Sequence, residues 1–288
     1  MNHTQKTDPL GLISFSIVFA LALIIPLSIE NETQSAPTKL FPPQTIEINN
    51  VSDLERLVTT QSNGNRLVFA ANFPKSFSQI DDINKKKQLF IQTLEPIIDR
   101  ENQRLKELRA YVQEILLLSN NKISDHYKQS INQLFNRYKI NNTNKTYEQA
   151  INELFNRMDT LPKQLVLAQA AMESGWGTSR FTVEGNSLFG QWTWNKNEGI
   201  KPSNRSAGAT HRVKYFKNIQ LSVRDYLLNI NTNKAYQEIR NMRREMREQN
   251  KPYNAYKLAT GLIRYSQRKE AYVKEIQQML KSPAFSKI

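Results

Sequence analysis

The sequence predicts a mainly helical protein with a small β-hairpin lobe, preceded by a helical segment and one N-terminal membrane span. Three observations carry the prediction. Residues 10–29, "LGLISFSIVFALALIIPLSI", are uncharged over about one bilayer thickness at 1.5 Å per residue. Apolar side chains recur at helical spacing through much of the chain from Asp81 to Leu262. Two short segments, "LFGQWTW" and "HRVKYF", alternate instead as strands do.

From the N-terminus, Lys6 and the α-amino group precede the apolar span, against Asp8, whereas Glu30 and Glu32 follow it. That asymmetry orients the N-terminus inward. It predicts a cytoplasmic tail at 1–9, a transmembrane anchor at 10–29, and the rest of the chain outside the inner (cytoplasmic) membrane, in the periplasm. A cleaved signal peptide is the rival, but its one small-residue site, "QSAPT", puts Pro37 directly after Ala36 and the apolar run exceeds a usual h-region. Residues 30–45 hold Pro37, Pro42 and Pro43 and read as an extended linker.

A helical N-terminal segment is expected over 46–159. Between Asp81 and Leu118, Leu94, Ile97, Ile98, Leu105, Leu108, Val112 and Ile115 fall at helical spacing, and Pro96 should kink or divide that helix. The octapeptides "INQLFNRY" from 131 and "INELFNRM" from 151 share apolar positions i, i+3, i+4. Two amphipathic core helices explain them better than a repeat, since one pair is no array.

The second domain is expected over 160–288. Asp159 or Thr160 is the candidate N-cap of an almost wholly apolar, hence buried, helix, with Pro162 in its first turn and Gly175 and Gly177 at its end. Glu173 occupies its last turn. Burial and the negative end of the helix dipole both disfavour the carboxylate, so its pKa should rise and equip it as a general acid. Glycines on both sides of Trp176 allow a sharp turn. Trp192 and Trp194, two apart on a strand, share a face, and with Trp176 they form either a stacking platform for flat ligands such as sugar rings or a hydrophobic minicore.

Beyond the polar link "NKNEGIKPSNRSAGAT", which predicts a hairpin with a long loop, helices resume. Val223, Tyr226, Leu227 and Ile230 fall at i, i+3, i+4, i+7, as do Ala255, Leu258, Ala259 and Leu262. Arg240, Arg243, Arg244 and Arg247 fall on one helix face, read as an ordinary solvated face or as a grip on anionic polymer.

The motifs "LAQAAMESGWGTSRF" and "GNSLFGQW" resemble those of bacterial peptidoglycan β-N-acetylglucosaminidases, the group containing flagellar and autolysin glucosaminidase domains. The resemblance covers about 160–281. It implies a lysozyme-like helical domain with a small β lobe, which cleaves the glycan strand of peptidoglycan with Glu173 as catalytic acid. By the same resemblance Tyr265 matches a family tyrosine before the last helix, without the Asp that follows it there. Trp176, Asn186, Phe189, Gln191, Trp192 and Trp194 are then the candidate substrate-binding residues. Ser187 stands where the family has a second Asn. The second carboxylate of some members has no motif-level match, and Glu184 and Glu198 are the nearest candidates.

Composition bounds these readings. With 288 residues and 23% charged side chains the chain can bury one sizeable core or a core plus an appendage. Forty Lys and Arg against 26 Asp and Glu give +14, which suits a polyanionic partner. No helix-turn-helix, zinc-finger or RNP signature accompanies the charge, so no nucleic acid is expected. The absence of cysteine excludes disulfides, thiolate ligation and a cysteine nucleophile. His3, His126 and His211 are scattered, so no metal and no cofactor is expected. The expected function is a membrane-tethered peptidoglycan hydrolase. A wall-binding module without turnover, or a lytic transglycosylase, is the alternative.

Overall fold

The computed structural model of the chain describes residues 44–64, 68–118, 125–203, 208–285 and 288. The predicted tail 1–9, anchor 10–29 and all but the last two residues of the linker 30–45 lie outside that description. Among the described residues no helix is long and apolar enough to cross a membrane. Residues 37–288 group as one compact unit.

The unit opens with β1 (Gln44–Ile46), α1 (Val51–Ser62) and β2 (Val68–Ala70). The two strands pair in parallel, Thr45 opposite Phe69, with α1 as the crossover that parallel pairing needs. The expected all-helical segment therefore begins with a strand pair. Three residues are too few for periodicity to show, and the pair is made by tertiary packing, with Phe69 and Ala70 1% exposed. Asn72 fastens it, accepting from the Ile48 N–H and donating to the Ile48 carbonyl, both at 2.9 Å.

Helix α2 (Ile83–Leu118) runs unbroken through Pro96. The proline costs the Gln92 carbonyl its i→i−4 donor, yet Leu94, Ile97 and Ile98 around it are fully buried, and this packing keeps the helix whole. Helices α3 (Asp125–Arg137) and α4 (Tyr147–Arg157) contain the two octapeptides. Ile131, Leu134, Phe135, Ile151 and Leu154 enter the core, as two amphipathic helices should. Thr146 and Gln149 cap α4 reciprocally.

Helix α5 (Lys163–Ser174) is the centre of the fold, with Leu165 through Ala168, Ala170 and Ala171 fully buried, and it packs against α2 and against the helices Ala255–Leu258 and Glu270–Lys281. Its N-cap is Pro162, without a side-chain cap. Neither expected cap, Asp159 or Thr160, holds that place, and Asp159 instead accepts from Tyr253 Oη at 2.6 Å and pairs with Arg247.

After α6 (Arg180–Gly185) come β3 (Trp192–Thr193), β4 (Gly199–Ile200) and β5 (Arg212–Lys214), an antiparallel sheet ordered β3-β5-β4. The expected hairpin thus gains a third strand out of its long loop. Gly199 makes that possible: a Cβ there would lie 2.6 Å from Arg212 Cβ and 2.7 Å from Thr193 Cγ2, so only glycine lets β4 approach β5.

Helices α7 (Ile219–Thr232), α8 (Gln237–Glu248), α9 (Ala255–Leu258) and α10 (Glu270–Lys281) complete the unit. The expected helix at 255–262 tightens to 3-10 geometry over Ala259–Leu262. On α8 the predicted arginine face divides. Arg240 and Arg243 are 4% and 0% exposed, and Arg240 donates to the Ile230 and Asn233 carbonyls at the end of α7. Arg243 donates to the Asp159 and Thr160 carbonyls and to Asn231 Oδ1. Neither the solvated face nor the polymer grip describes these two. They satisfy backbone carbonyls that lack helical partners, while Arg244 is exposed beside Glu248.

Candidate active site

Glu173 lies one residue before the end of α5, where the backbone turns through three consecutive left-handed residues: Gly175 (φ 55°), Trp176 (φ 58°) and Gly177 (φ 82°). The turn is tied on both sides of Glu173. Trp176 N–H donates to the Ala171 carbonyl at 2.8 Å, Ser179 N–H to the Ser174 carbonyl at 2.9 Å, and Gly177 N–H to Ser174 Oγ at 2.8 Å. Gly177 also passes close to α2, since a Cβ there would lie 3.1 Å from the Phe90 ring. The carboxyl is therefore presented by a buried helix and a cross-tied turn, on rigid elements.

Glu173 is half-buried. Its Oε1 accepts from Tyr272 Oη on α10 at 2.8 Å. Burial raises its pKa above the usual carboxylate range, the direction the sequence predicts, while the Tyr272 hydrogen bond and the Arg268 charge pull against that rise. Tyr272 is itself raised, first by burial and then by the Glu173 charge. Tyr236 is pushed up to about 12 by burial, with Glu173 adding to it. Phenols surround the carboxyl, and all stay neutral where it titrates.

The predicted tyrosine, Tyr265, belongs to this aromatic wall without bonding Glu173. Its ring stacks on Tyr272 with centroids 5.3 Å apart and planes 8° apart, and its hydroxyl donates to the Phe189 carbonyl at 3.2 Å. Burial and the Glu173 charge hold it well above the ordinary tyrosine pKa. Phe189 is buried and stacks on Tyr226 of α7 at 4.0 Å.

The three tryptophans occupy two settings. Trp176 packs edge-on against Phe90 at 5.6 Å and against Phe285 at 5.8 Å, with Lys87 Nζ 5.0 Å above its ring. Trp192 and Trp194 are 59% and 67% exposed on the β lobe, and Trp192 stacks on His211 at 4.3 Å. The minicore describes the first, whereas the other two lie open to solvent, Trp194 just past the end of β3.

Asn186 ends α6 in the left-handed conformation, and its amide donates to the Phe216 carbonyl at 3.1 Å. Gln191 donates through Nε2 to the Ser222 carbonyl at 3.2 Å. Ser187 is 2% exposed, and among the described residues its hydroxyl has no hydrogen-bond partner. Of the candidate second carboxylates, Glu184 is exposed on α6 with Arg180 at 3.8 Å, and Glu198 is exposed just before β4. Neither is placed by hydrogen bonds to its carboxylate as Glu173 is. Among the described residues no group of three or more His, Cys, Asp and Glu gathers as a metal site would.

Sequence reasoning missed Tyr272 and Gln169. Gln169 was legible as the one polar residue inside the apolar run Leu165–Met172, four before Glu173 and so on the same helix face. Tyr272 had only a core spacing to mark it.

Residues 148–284 match a family model described as mannosyl-glycoprotein endo-β-N-acetylglucosaminidase, the glucosaminidase family. The chain is 28% identical over 213 residues to Protein bax of Escherichia coli (strain K12), an alignment covering 71% of this chain and 74% of that protein. No solved structure matches the chain.

Proposed function

This is a Bax-type chain with a glucosaminidase-family domain at residues 148–284, and on that premise we propose that it is a peptidoglycan hydrolase that cleaves the glycan strand at N-acetylglucosamine. One observation carries the reading: a half-buried carboxyl with a raised pKa, held by a phenol at the rim of a rigid turn. Burial favours the protonated form of such a group, which can donate its proton to the glycosidic oxygen as the bond breaks. The proposed cleft lies between the helical body and the β lobe, in a lysozyme-like arrangement. There Trp192 and Trp194 offer faces for sugar rings.

A retaining mechanism with an enzyme nucleophile needs carboxyls about 5–5.5 Å apart, and an inverting one needs about 6.5–9.5 Å. Glu184 and Glu198 both lie exposed, without partners that would hold them at a fixed separation. We therefore favour substrate assistance, in which the acetamido oxygen attacks its own anomeric carbon while Glu173 protonates the leaving oxygen. The covalent oxazolinium so formed is then opened by water. Tyr265 would orient the acetamido group by accepting from its N–H, since the Tyr265 proton is given to the Phe189 carbonyl. The proposed site of action is the periplasm, with residues 10–29 as anchor.

Digestion of purified peptidoglycan, borohydride reduction and mass spectrometry test the reading. Glucosaminitol ends are expected, whereas 1,6-anhydromuramic ends would identify a lytic transglycosylase and muramitol ends a muramidase. Glu173→Gln should lower turnover by about a hundredfold to ten-thousandfold while glycan binding persists. Binding without turnover in the wild-type protein would leave a wall-binding module.

A further inference from the structure

Gln169 is fully buried on α5, one helical turn before Glu173, and both ends of its amide are engaged. Its Nε2 donates to Tyr272 Oη at 3.0 Å, and its Oε1 accepts from Tyr226 Oη. Tyr272 has a single proton, and it points to Glu173 Oε1 at 2.8 Å. We propose that Gln169 is a positioning residue that fixes which oxygen of Glu173 carries the catalytic proton. The inference rests on the reading of Glu173 as the general acid.

The argument is one of hydrogen-bond polarity. Because the Gln169 N–H points at the Tyr272 oxygen, that phenol acts toward Glu173 as a donor and not as an acceptor. A proton on Glu173 Oε1 would face the phenol proton, so protonation falls on Oε2, which among the described residues accepts no hydrogen bond and is left to meet substrate. A reversed amide would present its carbonyl to Tyr272, draw the phenol proton away, and let Glu173 protonate toward the protein interior. Tyr226 opposes the reversal: against a turned amide its hydroxyl would have to accept from Nε2, and its own buried proton would lose the acceptor it has now.

The parts close on themselves. Tyr226 stacks on Phe189, the Phe189 carbonyl accepts from Tyr265, Tyr265 stacks on Tyr272, and Tyr272 returns to Gln169. Each of the three tyrosines in the circuit is held by its ring and by its hydroxyl, so rotating any of them breaks at least two interactions. The groups that act on Glu173 from the surrounding elements are Tyr272, Tyr265, Tyr236 and Tyr226, together with Arg268, which is paired with Glu275.

The test titrates Glu173 in the full chain by carbon-13 NMR of labelled glutamate carboxyls, beside the pH dependence of kcat. Gln169→Met keeps shape and removes the polarity. It frees the phenol to accept from Glu173, so the carboxyl should titrate at higher pH, the alkaline limb of kcat should move with it, and kcat should fall about tenfold or more with KM unchanged. Tyr226→Phe should shift the titration in the same direction, and it decides the matter if Gln169→Met does not fold. A folded variant of either kind whose Glu173 titrates as in the wild type overturns the inference. Full turnover in Glu173→Gln would sink the reading of Glu173 as the general acid instead, and with it the catalytic meaning of the relay. An inactive Glu173→Gln with unmoved titrations sinks the relay alone.

Discussion

At the scale of the residue, the chemistry of Glu173 is a balance between burial, which favours its protonated form, and Tyr272 and Arg268, which favour its charged form. The sign of a pH prediction follows. A general acid works while protonated, so activity falls as pH rises through its pKa. Tyr272→Phe removes a group that lowers that pKa, and the alkaline limb of the pH–rate profile should therefore move to higher pH, read from initial rates of glycan solubilisation. Arg268→Gln should act in the same direction and by less, because Arg268 is exposed and its charge is shared with Glu275. A limb that moves to lower pH in either variant would mean that the group titrating there is not Glu173.

At the scale of the element, the β lobe depends on one glycine. Valine at Gly199 would need room already held by Arg212, Thr193 and the Val213 carbonyl, 2.6–2.9 Å from its Cβ. Gly199→Val should therefore release β4 from β5 and loosen the lobe that holds Trp192 and Trp194. Expected outcomes are faster proteolysis between Trp194 and Arg212 and weaker glycan binding, while the helical core keeps its circular dichroism. The arginines of α8 show the opposite dependence, of an element on buried charge. Arg243→Met would leave the Thr160 carbonyl and Asn231 Oδ1 without their donor, while the Asp159 carbonyl keeps Asn231 Nδ2, and a loss of about 1–3 kcal/mol per group left unsatisfied is expected from urea unfolding.

At the scale of the whole molecule, the N-terminal helices and the matched domain share one buried ionic node. Glu101 of α2 is fully buried and accepts from Arg104 on its own helix and from Gln220 and Arg224 on α7. Burial alone would raise its pKa, but Arg104 and Arg224 outweigh it and hold the carboxyl at about 2. A carboxyl depressed on folding stabilises the protein above its unfolded pKa. That contribution is lost as pH falls from about 4.5 toward 2, so acid unfolding should be steep in that window. Glu101→Gln should remove the steepness and cost about 3–5 kcal/mol at neutral pH, because the buried Arg104 and the half-buried Arg224 lose their counterion. Thermal melts across pH measure both effects. The same scale includes the proposed anchor: a reporter fused after Ile288 should be active only if it is one that works outside the cytoplasm, and activity of a cytoplasmic reporter would contradict the topology.

What the sequence determined by itself was local or periodic. The buried helix Leu165–Met172 with Glu173 at its end, the glycine-flanked Trp176, the core positions of α2 and α7, and the two amphipathic octapeptides all follow from side-chain spacing, which is a property of neighbouring residues. Tertiary structure alone decided what distant residues do for one another. It brought Tyr272 to Glu173 across 99 positions and Glu101 to Arg224 across 123, and it turned Arg240 and Arg243 inward to carbonyls that no periodicity marks. It also drew β4 out of a polar loop and paired β1 with β2. The physical reason is common to all of these. A buried polar group must find a partner wherever the fold places one, and a short strand exists only through the strand beside it, so both are fixed by packing across the chain and not by the residues on either side.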